Sequence, residues 1–266
     1  MSAPIRVALA GAAGQMGREV VRAVTAAADM QLVAAIAPRH AGQDAGLVAG
    51  LPPLGLVLRD DLAQALAETR PDVLVDFTRP DTTFAVAEAA LAADVRPVIG
   101  TTGLTEAQLT WLGTAAQTRG LGVLVAPNFA LGALLMMRFA AEAARHFAHA
   151  EIVELHHDRK RDAPSGTALK TVEAMRAQRE AFEAPSVAGE ELLPGARGGE
   201  AGGVRLHSVR LPGLLAHQEV LFGGEGQLLT IRHDAFSRAC YMPGVLLGIR
   251  RILDRTGLVH GLEHLL

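Results

Sequence analysis

Residues 5–17 read I-R-V-A-L-A-G-A-A-G-Q-M-G, so that an apolar run leads directly into a turn with a glycine at every third position. Three valines follow at the spacing of one helical face, which predicts a strand, a glycine turn and a helix. Small residues in such a turn let backbone N–H groups approach a pyrophosphate at the positive end of the helix. Because Ala12 and Ala13 depart from the G-x-G-x-x-G spacing, a tight turn that only packs helix on sheet is the alternative. The position of the turn favours dinucleotide binding.

Strands and helices alternate along the first half of the chain. The predicted strands are Ile5–Ala10, Gln31–Ile36, Leu54–Leu58, Val73–Phe77, Pro97–Ile99 and Gly122–Ala126. The further predicted helices are Asp61–Glu68, Asp81–Ala92 and Thr105–Arg119, the last with a capping box formed by Thr105 and Gln108. This alternation predicts the α/β class, with a Rossmann-like, doubly wound parallel sheet covered on both faces.

The pattern changes after Asn128, where runs of helix and strand replace the alternation. The predicted elements are a helix at Leu131–Phe147, a strand at Glu151–Leu155, a helix at Thr167–Ala181, and strands at Val204–Leu211, His217–Phe222 and Gln227–His233. The glycine-rich residues 194–203 predict a surface loop, either a plain connector or a lid. We expect a dinucleotide-binding domain (1–128), a second α+β domain with a mixed sheet (129–237), and C-terminal helices that pack back on the first domain (238–266).

The composition excludes several classes of protein. A chain of 266 residues with 50% hydrophobic residues has ample material for a core, and a net charge of -3 gives no basic field for nucleic acid or an anionic membrane. The single cysteine, Cys240, cannot form an internal disulfide, and the absence of a CxxC motif or a Cys/His cluster predicts no metal. No apolar run reaches the roughly 20 residues that span a bilayer. We expect a soluble, cytoplasmic protein that binds neither nucleic acid nor membrane.

Further cofactor candidates lie where predicted strands end, the edge at which open α/β sheets bind ligands. The second strand is followed by Arg39 and His40 and by no carboxylate, which favours NADPH over NADH, although an exposed loop arginine without a ligand is the alternative. Hydroxylated and small residues after two more strands suit a nicotinamide ribose, or else form ordinary turns. The cofactor-binding candidates are Gly11, Ala12, Ala13, Gly14, Gln15, Met16, Gly17, Arg39, Phe77, Arg79, Gly100, Thr101, Thr102, Ala126, Pro127, Asn128 and Phe129.

Residues 151–168 read E-I-V-E-L-H-H-D-R-K-R-D-A-P-S-G-T-A and carry most of the chemistry. His156 ends a predicted strand and is the candidate acid, because its ordinary pKa of about 6.5 is easily raised by a nearby anion. His157, Arg159, Lys160 and Arg161 form a local cationic cluster. A second anion site is predicted where Ser165, Gly166 and Thr167 open a helix. Two such sites predict a small dicarboxylate, whereas a solvated loop followed by a capped helix is the alternative.

At these residues the sequence resembles the 4-hydroxy-tetrahydrodipicolinate reductase (dihydrodipicolinate reductase) family. The signature E-x-x-E-x-H-H-x-x-K-x-D-A-P-S-G-T is present in residues 151–167, and the likeness extends through Asp76-Phe-Thr-Arg-Pro80 and Ser237-Arg238. The resemblance implies reduction of a cyclic imine-type dicarboxylate by NADPH or NADH, in diaminopimelate and lysine biosynthesis. It also implies His156 as proton donor, Lys160 as a catalytic and substrate-holding residue, and carboxylate binding by His157, Ser165, Gly166, Thr167 and Arg238.

The resemblance further implies a homotetramer assembled through the sheets of the second domain, which closes over the cofactor. Two departures bear on this. Ala37 stands where many members carry an acidic residue, so dual use of NADPH and NADH stays open, and Pro212–Gln218 lacks the Gly-Glu-His pattern of the family. The rival functions are a non-catalytic NADPH-binding sensor and a dehydrogenase of an amino acid or related imine.

Overall fold

The computed structural model of the chain describes residues 3–183 and 190–266. It divides into two compact units, Met1–Ala130 together with Tyr241–Leu266, and Leu131–Cys240. No helix in the described part of the chain is long and apolar enough to cross a membrane. Within the same two ranges, no group of three or more His, Cys, Asp and Glu side chains is placed to hold a metal ion.

The first unit is built on a six-stranded, wholly parallel sheet, which confirms the predicted α/β class. Its strand order is β11-β5-β4-β3-β1-β2. The strands are β1 (Ile5–Ala10), β2 (Met30–Ile36), β3 (Val73–Asp76), β4 (Arg96–Ile99), β5 (Gly122–Val125) and β11 (Gly257–His260). The α-helices are α1 (Gln15–Ala26), α2 (Ala45–Ala49), α3 (Leu62–Thr69), α4 (Thr83–Ala92), α5 (Glu106–Arg119) and α8 (Met242–Ile252).

The central strands explain why this sheet forms. All four residues of β3 and of β5 are buried, as expected for parallel strands that are covered on both faces and therefore read as continuous apolar runs. The predicted capping box of α5 is confirmed, because Thr105 accepts a hydrogen bond from the Gln108 backbone while the Gln108 side chain accepts one from the Thr105 backbone.

Two predictions in the first unit are wrong. Residues 54–58 form no strand and make only an isolated bridge, between Val57 and Asp44. The Asp44 carboxylate accepts hydrogen bonds from the Leu54 and Gly55 backbones and also caps α2, so that one side chain organises a loop instead of a ladder. The closing segment is not wholly helical either. Gly257 and Gly261, both at positive φ, bracket the short strand β11, which pairs with β5.

The second unit contains a mixed sheet, as predicted, and its five strands lie in the order β10-β9-β6-β8-β7. Its strands are β6 (His149–His156), β7 (Gly199–Ala201), β8 (Val204–Arg210), β9 (Ala216–Gly224) and β10 (Gln227–Ala235). Its α-helices are α6 (Leu131–Ala144) and α7 (Gly166–Arg176), so α7 ends five residues before the predicted Ala181. Short β7 lies inside the predicted surface loop 194–203, where it pairs antiparallel with β8. The helices cover one sheet face and bury Ile152, Leu206, Val220 and Phe222 among their own side chains.

Candidate active site

The turn at residues 11–17, here called the glycine turn, has room for backbone and little else. A Cβ on Gly11, whose φ is +83°, would lie 2.4 Å from the carbonyl oxygen of Phe77. A Cβ on Gly17 would lie 2.1 Å from the carbonyl oxygen of Gly11. The Gly11 and Ala12 N–H groups both donate to the Ile36 carbonyl, at 3.0 and 3.1 Å, which ties the turn to the end of β2. Glycine is therefore required at both positions by the close packing of the turn against neighbouring backbone.

The N-terminus of α1 suits an anion. Gly14 is the N-cap and supplies no side-chain hydrogen bond, and the first turn contains no acidic residue. Gly14 and Gln15 are exposed, Met16 is half-buried, and the backbone N–H groups of a first helical turn have no intrahelical acceptor. A pyrophosphate would meet both free donors and the positive end of the helix dipole. The turn therefore fits a dinucleotide cofactor.

Buried polar groups collect where β3 and β4 end. The Asp76 carboxylate is 1% exposed and accepts hydrogen bonds from the Thr83 hydroxyl and, at 2.8 Å, from the Thr78 backbone. Burial raises the pKa of Asp76, and these hydrogen bonds oppose the rise. The hydroxyl oxygens of Thr78 and Thr101 are buried at this edge, beside the Asp76 carboxylate whose pKa both side chains act to lower. Two such hydroxyls at the ligand edge of a parallel sheet fit the ribose of a nucleotide.

The rings of Phe77 and Phe129 pack at this same edge, with their centroids 5.8 Å apart. Gly100 lies so close that a Cβ there would stand 2.1 Å from the Phe77 ring. Asn128 accepts a hydrogen bond from the Ala130 backbone at 2.9 Å, which fixes the turn that follows β5. The structure thus brings Gly11, Phe77, Gly100 and Phe129 together, as expected for one binding surface. Of the other residues predicted to bind the cofactor, Ala126 is buried, Ala13 is half-buried, and Thr102 and Pro127 are exposed.

The two arginines predicted to bind the cofactor, Arg39 and Arg79, differ from each other in their contacts. Arg39 lies on the short 3-10 turn Pro38–His40, is exposed, and makes no hydrogen bond or ion pair within residues 3–183 and 190–266. Arg79 already donates to both carboxylate oxygens of Asp81, at 3.0 and 3.1 Å. Arg39 is therefore the cation available to an incoming phosphate, whereas Arg79 would first have to leave its partner.

In the second unit, the register of two parallel strands builds a charged cluster. The pairing of β6 with β8 puts His156 beside Arg210, although the two residues are far apart in sequence. The carboxylate of Glu154 is fully buried and accepts hydrogen bonds from both terminal nitrogens of Arg210, at 2.7 and 2.9 Å. The same carboxylate lies 2.5 Å from the Nδ1 atom of His156. This Glu154, His156 and Arg210 arrangement, together with Lys160 and Asp162 described next, is called the His156 cluster.

Lys160 and Asp162 complete the cluster. The Lys160 ammonium donates to both carboxylate oxygens of Asp162 at 2.8 Å, and the Arg210 guanidinium donates to the Asp162 backbone carbonyl at 2.6 Å. Asp162 is 61% exposed while Lys160 is 21% exposed, so the ammonium is the more enclosed partner. An incoming carboxylate can therefore displace Asp162 and take over the lysine at small electrostatic cost.

The pKa of His156 differs from the sequence expectation. Burial, together with the charges of Lys160 and Arg210, holds the pKa of His156 below its ordinary value, although the Glu154 carboxylate works in the opposite direction. The prediction that a nearby anion raises this pKa thus does not hold for the protein alone. At Glu154 burial acts in the opposite direction and raises the pKa. Hydrogen bonds from Arg210 and from other neighbouring side chains outweigh burial and keep the pKa of Glu154 below its ordinary value. Glu154 is ionised, and the anion that would favour a protonated His156 has to come with the substrate.

Most of the other residues predicted to bind the substrate lie close to this cluster in the sequence. The Nδ1 atom of His157 is buried without a hydrogen-bond partner in the described part of the chain, so a ligand could satisfy it. Ser165 is the N-cap of α7 and accepts a hydrogen bond from the Ala168 backbone at 3.1 Å, which uses its side chain. Gly166 is exposed, and a Cβ there would meet no atom within 4 Å. The first turn of α7 therefore offers backbone donors and open space beside the half-buried Thr167.

Arg238 does not join this group. It is exposed at the start of the 3-10 turn Arg238–Tyr241 and makes no hydrogen bond or ion pair with any described residue. Arg159 and Arg161 are exposed as well, as expected for a solvated loop.

Sequence reasoning missed the residues that organise the cluster. Glu154 was visible as an acidic residue two positions before His156, on the same face of a strand, and this spacing was a usable signal. Arg210 had no local signal, because its contact with Glu154 spans 56 positions and depends on the register of β6 with β8.

Comparison with known proteins gives a consistent result. The family model described as "Dihydrodipicolinate reductase, N-terminus" matches residues 5–129, and the model for the C-terminus of the same family matches residues 132–266. A relative from Moorella thermoacetica, curated as 4-hydroxy-tetrahydrodipicolinate reductase, is 52% identical over 266 residues, which is 100% of this chain and 99% of the relative. A relative of the same name from Synechocystis sp. is 51% identical over 269 residues, with 98% of each chain covered.

A solved structure is similar over the same length. The dipicolinate-bound dihydrodipicolinate reductase from Paenisporosarcina sp. TG-14 is 44% identical and superposes with a TM-score of 0.89, covering 99% of this chain and 100% of that one.

Proposed function

The chain belongs to the dihydrodipicolinate reductase family, and on that premise we propose that its two units divide the chemistry of this family between them. The reaction is the NAD(P)H-dependent reduction of 4-hydroxy-tetrahydrodipicolinate to tetrahydrodipicolinate, a step of diaminopimelate and lysine biosynthesis. The bound nicotinamide supplies the hydride. The residues of the chain bind the dinucleotide in the first unit, and bind the dicarboxylate and move a proton in the second.

The His156 cluster is the observation that carries this division. His156 is 14% exposed, and its Nδ1 atom is engaged by Glu154, so Nε2 is the atom from which it protonates the substrate. Lys160 releases Asp162 and binds one substrate carboxylate in its place. His157 adds a hydrogen-bond donor from its ring nitrogen, which has no partner among the described residues. The N-terminus of α7 at Gly166 and Thr167 binds the second carboxylate. A dicarboxylate is the substrate class that uses both anion sites, as the dipicolinate in the solved relative also suggests.

NADPH is the preferred cofactor in this proposal. Arg39 lies in the loop that follows β2, where it is exposed and free of any described partner. Ala37, at the end of the same strand, offers no carboxylate to a ribose 2′-hydroxyl. A cation without a neighbouring acid suits a 2′-phosphate. NADH lacks that phosphate and would bind more weakly, because it makes no contact with Arg39.

The assembly we propose is a homotetramer built through the second unit. The sheet face away from α6 and α7 carries half-buried apolar residues, namely Val153, Leu155, Val209 and Leu221, and the 68%-exposed Leu228. Apolar residues that a single chain leaves open on a sheet are typical of an interface with another copy. Light scattering after gel filtration should give four times the 27.9 kDa chain mass, and Val153→Glu should lower that mass.

The activity is tested by coupling the preceding synthase to this protein and following NADPH and NADH oxidation by absorbance at about 340 nm. We expect oxidation with both nucleotides and a lower KM for NADPH. No oxidation with either nucleotide would contradict the reductase function, and equal KM values would contradict the role given to Arg39. Identification of tetrahydrodipicolinate as the product separates this activity from that of an amino-acid or imine dehydrogenase.

A further inference from the structure

Glu154 occupies an unusual position for a residue that cannot touch a ligand. Its carboxylate is 0% exposed, yet it contacts three functional elements at once: His156, Arg210 and the start of α7. The last contact is a hydrogen bond of 3.2 Å from the Ser165 backbone N–H. One buried anion thereby joins the candidate proton donor to the helix that binds a substrate carboxylate.

The contact with Glu154 fixes the tautomer of His156. An ionised carboxylate only accepts hydrogen bonds, so the proton of a neutral imidazole resides on Nδ1, which faces Glu154. The Nε2 atom is then the ring nitrogen that exchanges a proton with another molecule. Without this partner the ring would populate both tautomers, and in one of them Nε2 carries no lone pair with which to take up the next proton.

The charged groups that face His156 come from three elements. Glu154 lies on its own strand, Arg210 on β8, and Lys160 with Asp162 on the following loop. The antiparallel neighbour β9 places uncharged Ala216 opposite His156, and α7 begins with uncharged Ser165 and Gly166. Since Arg210 binds Glu154 with both terminal nitrogens, it offsets most of the charge that Glu154 presents to the imidazole.

We propose that Glu154 is a positioning residue that fixes the Nδ1–H tautomer of His156 and, in balance with Arg210, sets how readily the ring holds its second proton. This inference rests on the proposed role of His156 as proton donor. Lys160 and Arg210 act against protonation of the ring, whereas Glu154 favours it. Removing Glu154 and removing Arg210 should therefore have opposite effects on His156, which a residue that only supports the fold would not show.

The first variant is Glu154→Gln, which keeps the shape and loses the charge. His156 donates a proton only when it is protonated, so activity falls as pH rises through its pKa. Loss of the Glu154 charge lowers that pKa, and the alkaline limb of the kcat/KM profile moves to lower pH. We expect kcat/KM to fall about tenfold or more at pH 8 and by a distinctly smaller factor at pH 6, where more of the ring is protonated in both proteins. Arg210→Gln retains a donor to Glu154, and its alkaline limb should move to higher pH.

A second measurement keeps the test independent of turnover and of misfolding. Histidine labelled with ¹⁵N reports both the tautomer and the titration of each ring, and His156→Asn identifies the resonance of His156. The double variant Glu154→Gln/Arg210→Met removes both buried charges and should fold if either single variant does not. Glu142→Gln is the matched control, because Glu142 also lies near a histidine, His146, but both are exposed on the surface at 63% and 69%.

The outcomes separate the inference from the function on which it rests. Opposite shifts for Glu154→Gln and Arg210→Gln, with Glu142→Gln unchanged, support the proposal. An unchanged His156 titration and tautomer in Glu154→Gln, or equal losses of kcat/KM at every pH, overturn it. If the ring titration shifts as expected while the kinetic limb stays fixed, His156 is not the proton donor, and the catalytic part of the inference is overturned with that assignment.

Discussion

In the proposed function the glycine turn and the His156 cluster each bind an anion, and they do so by opposite means. The turn at residues 11–17 presents backbone N–H groups at the start of α1, with glycine at the positions that pack against other backbone. The cluster uses the side chains of Lys160 and Arg210, which form ion pairs with Asp162 and Glu154 respectively. Backbone donors have no titratable group, so the first site should bind its ligand over a wide pH range. The His156 cluster contains charged side chains with opposing effects on the protonation of His156, so its function should depend on pH.

The largest effect that tests this division of labour comes from His156→Asn. Loss of the proton donor should lower kcat by a factor of about 10²–10⁴, because this is the usual contribution of general acid catalysis. NADPH binding, measured by its fluorescence, should not change, since the glycine turn lies in the other unit.

The exposed His146→Asn should leave kcat unchanged and serves as the control. A kcat of His156→Asn within about threefold of the parent would break the comparison and would show that His156 is not the proton donor.

Gly17→Ala tests the other region by filling the turn. The added methyl would lie 2.1 Å from the Gly11 carbonyl oxygen, so the turn has to open. We expect the first unit to lose about 1–3 kcal/mol of unfolding free energy, and the dissociation constant of NADPH to rise about tenfold or more because the backbone donors move. Urea unfolding followed by Trp111 fluorescence measures the first effect, because the single tryptophan lies on α5 in the first unit.

The control for Gly17→Ala is Gly113→Ala, a helical glycine whose added methyl meets Leu258 at an ordinary 3.4 Å. That change should preserve NADPH binding and leave stability equal or slightly higher, since alanine favours helix. Unaltered NADPH binding in Gly17→Ala would show that the close approach of backbone is not what makes the site.

The same contrast explains how much the sequence could predict. The glycine turn, the α5 capping box and most individual strands of the parallel sheet were accessible because each depends on residues close together in the chain. The contact between Glu154 and Arg210 was not accessible, since a shift of β8 by one residue would turn Arg210 to the other face of the sheet. Residues 54–58 show a third case, in which an apolar run suggested a strand but the N–H groups of Leu54 and Gly55 donate to the Asp44 side chain and the rest of the segment bonds to the loop at residues 42–45.

Arg39→Ala sharpens the comparison within the first unit, because it separates the one charged contact proposed there from the backbone contacts. The KM for NADPH should rise about tenfold, the usual effect of losing a charge-assisted hydrogen bond to a phosphate. The KM for NADH, which carries no 2′-phosphate, should change less than about twofold and provides the internal control. Equal changes for the two nucleotides would assign Arg39 to the common part of the dinucleotide.

Asp76→Asn should have the smallest effect and asks whether the first unit is truly insensitive to pH. Burial raises the pKa of Asp76 above its ordinary value, so folding favours the protonated carboxyl. The stability that protonated Asp76 contributes is fully present at pH values below the ordinary pKa of an aspartate. It is lost as the pH rises through the pKa that Asp76 has in the folded protein. Asparagine cannot ionise, and its side-chain oxygen can still accept the hydrogen bond from the Thr78 backbone. Relative to the parent, the variant should therefore gain on the order of 1 kcal/mol of unfolding free energy between acidic and neutral pH, as measured by urea unfolding through Trp111. A difference that stays constant with pH would mean that Asp76 titrates alike in the folded and unfolded chains, and that the pH dependence of this protein comes from the His156 cluster and not from the dinucleotide unit.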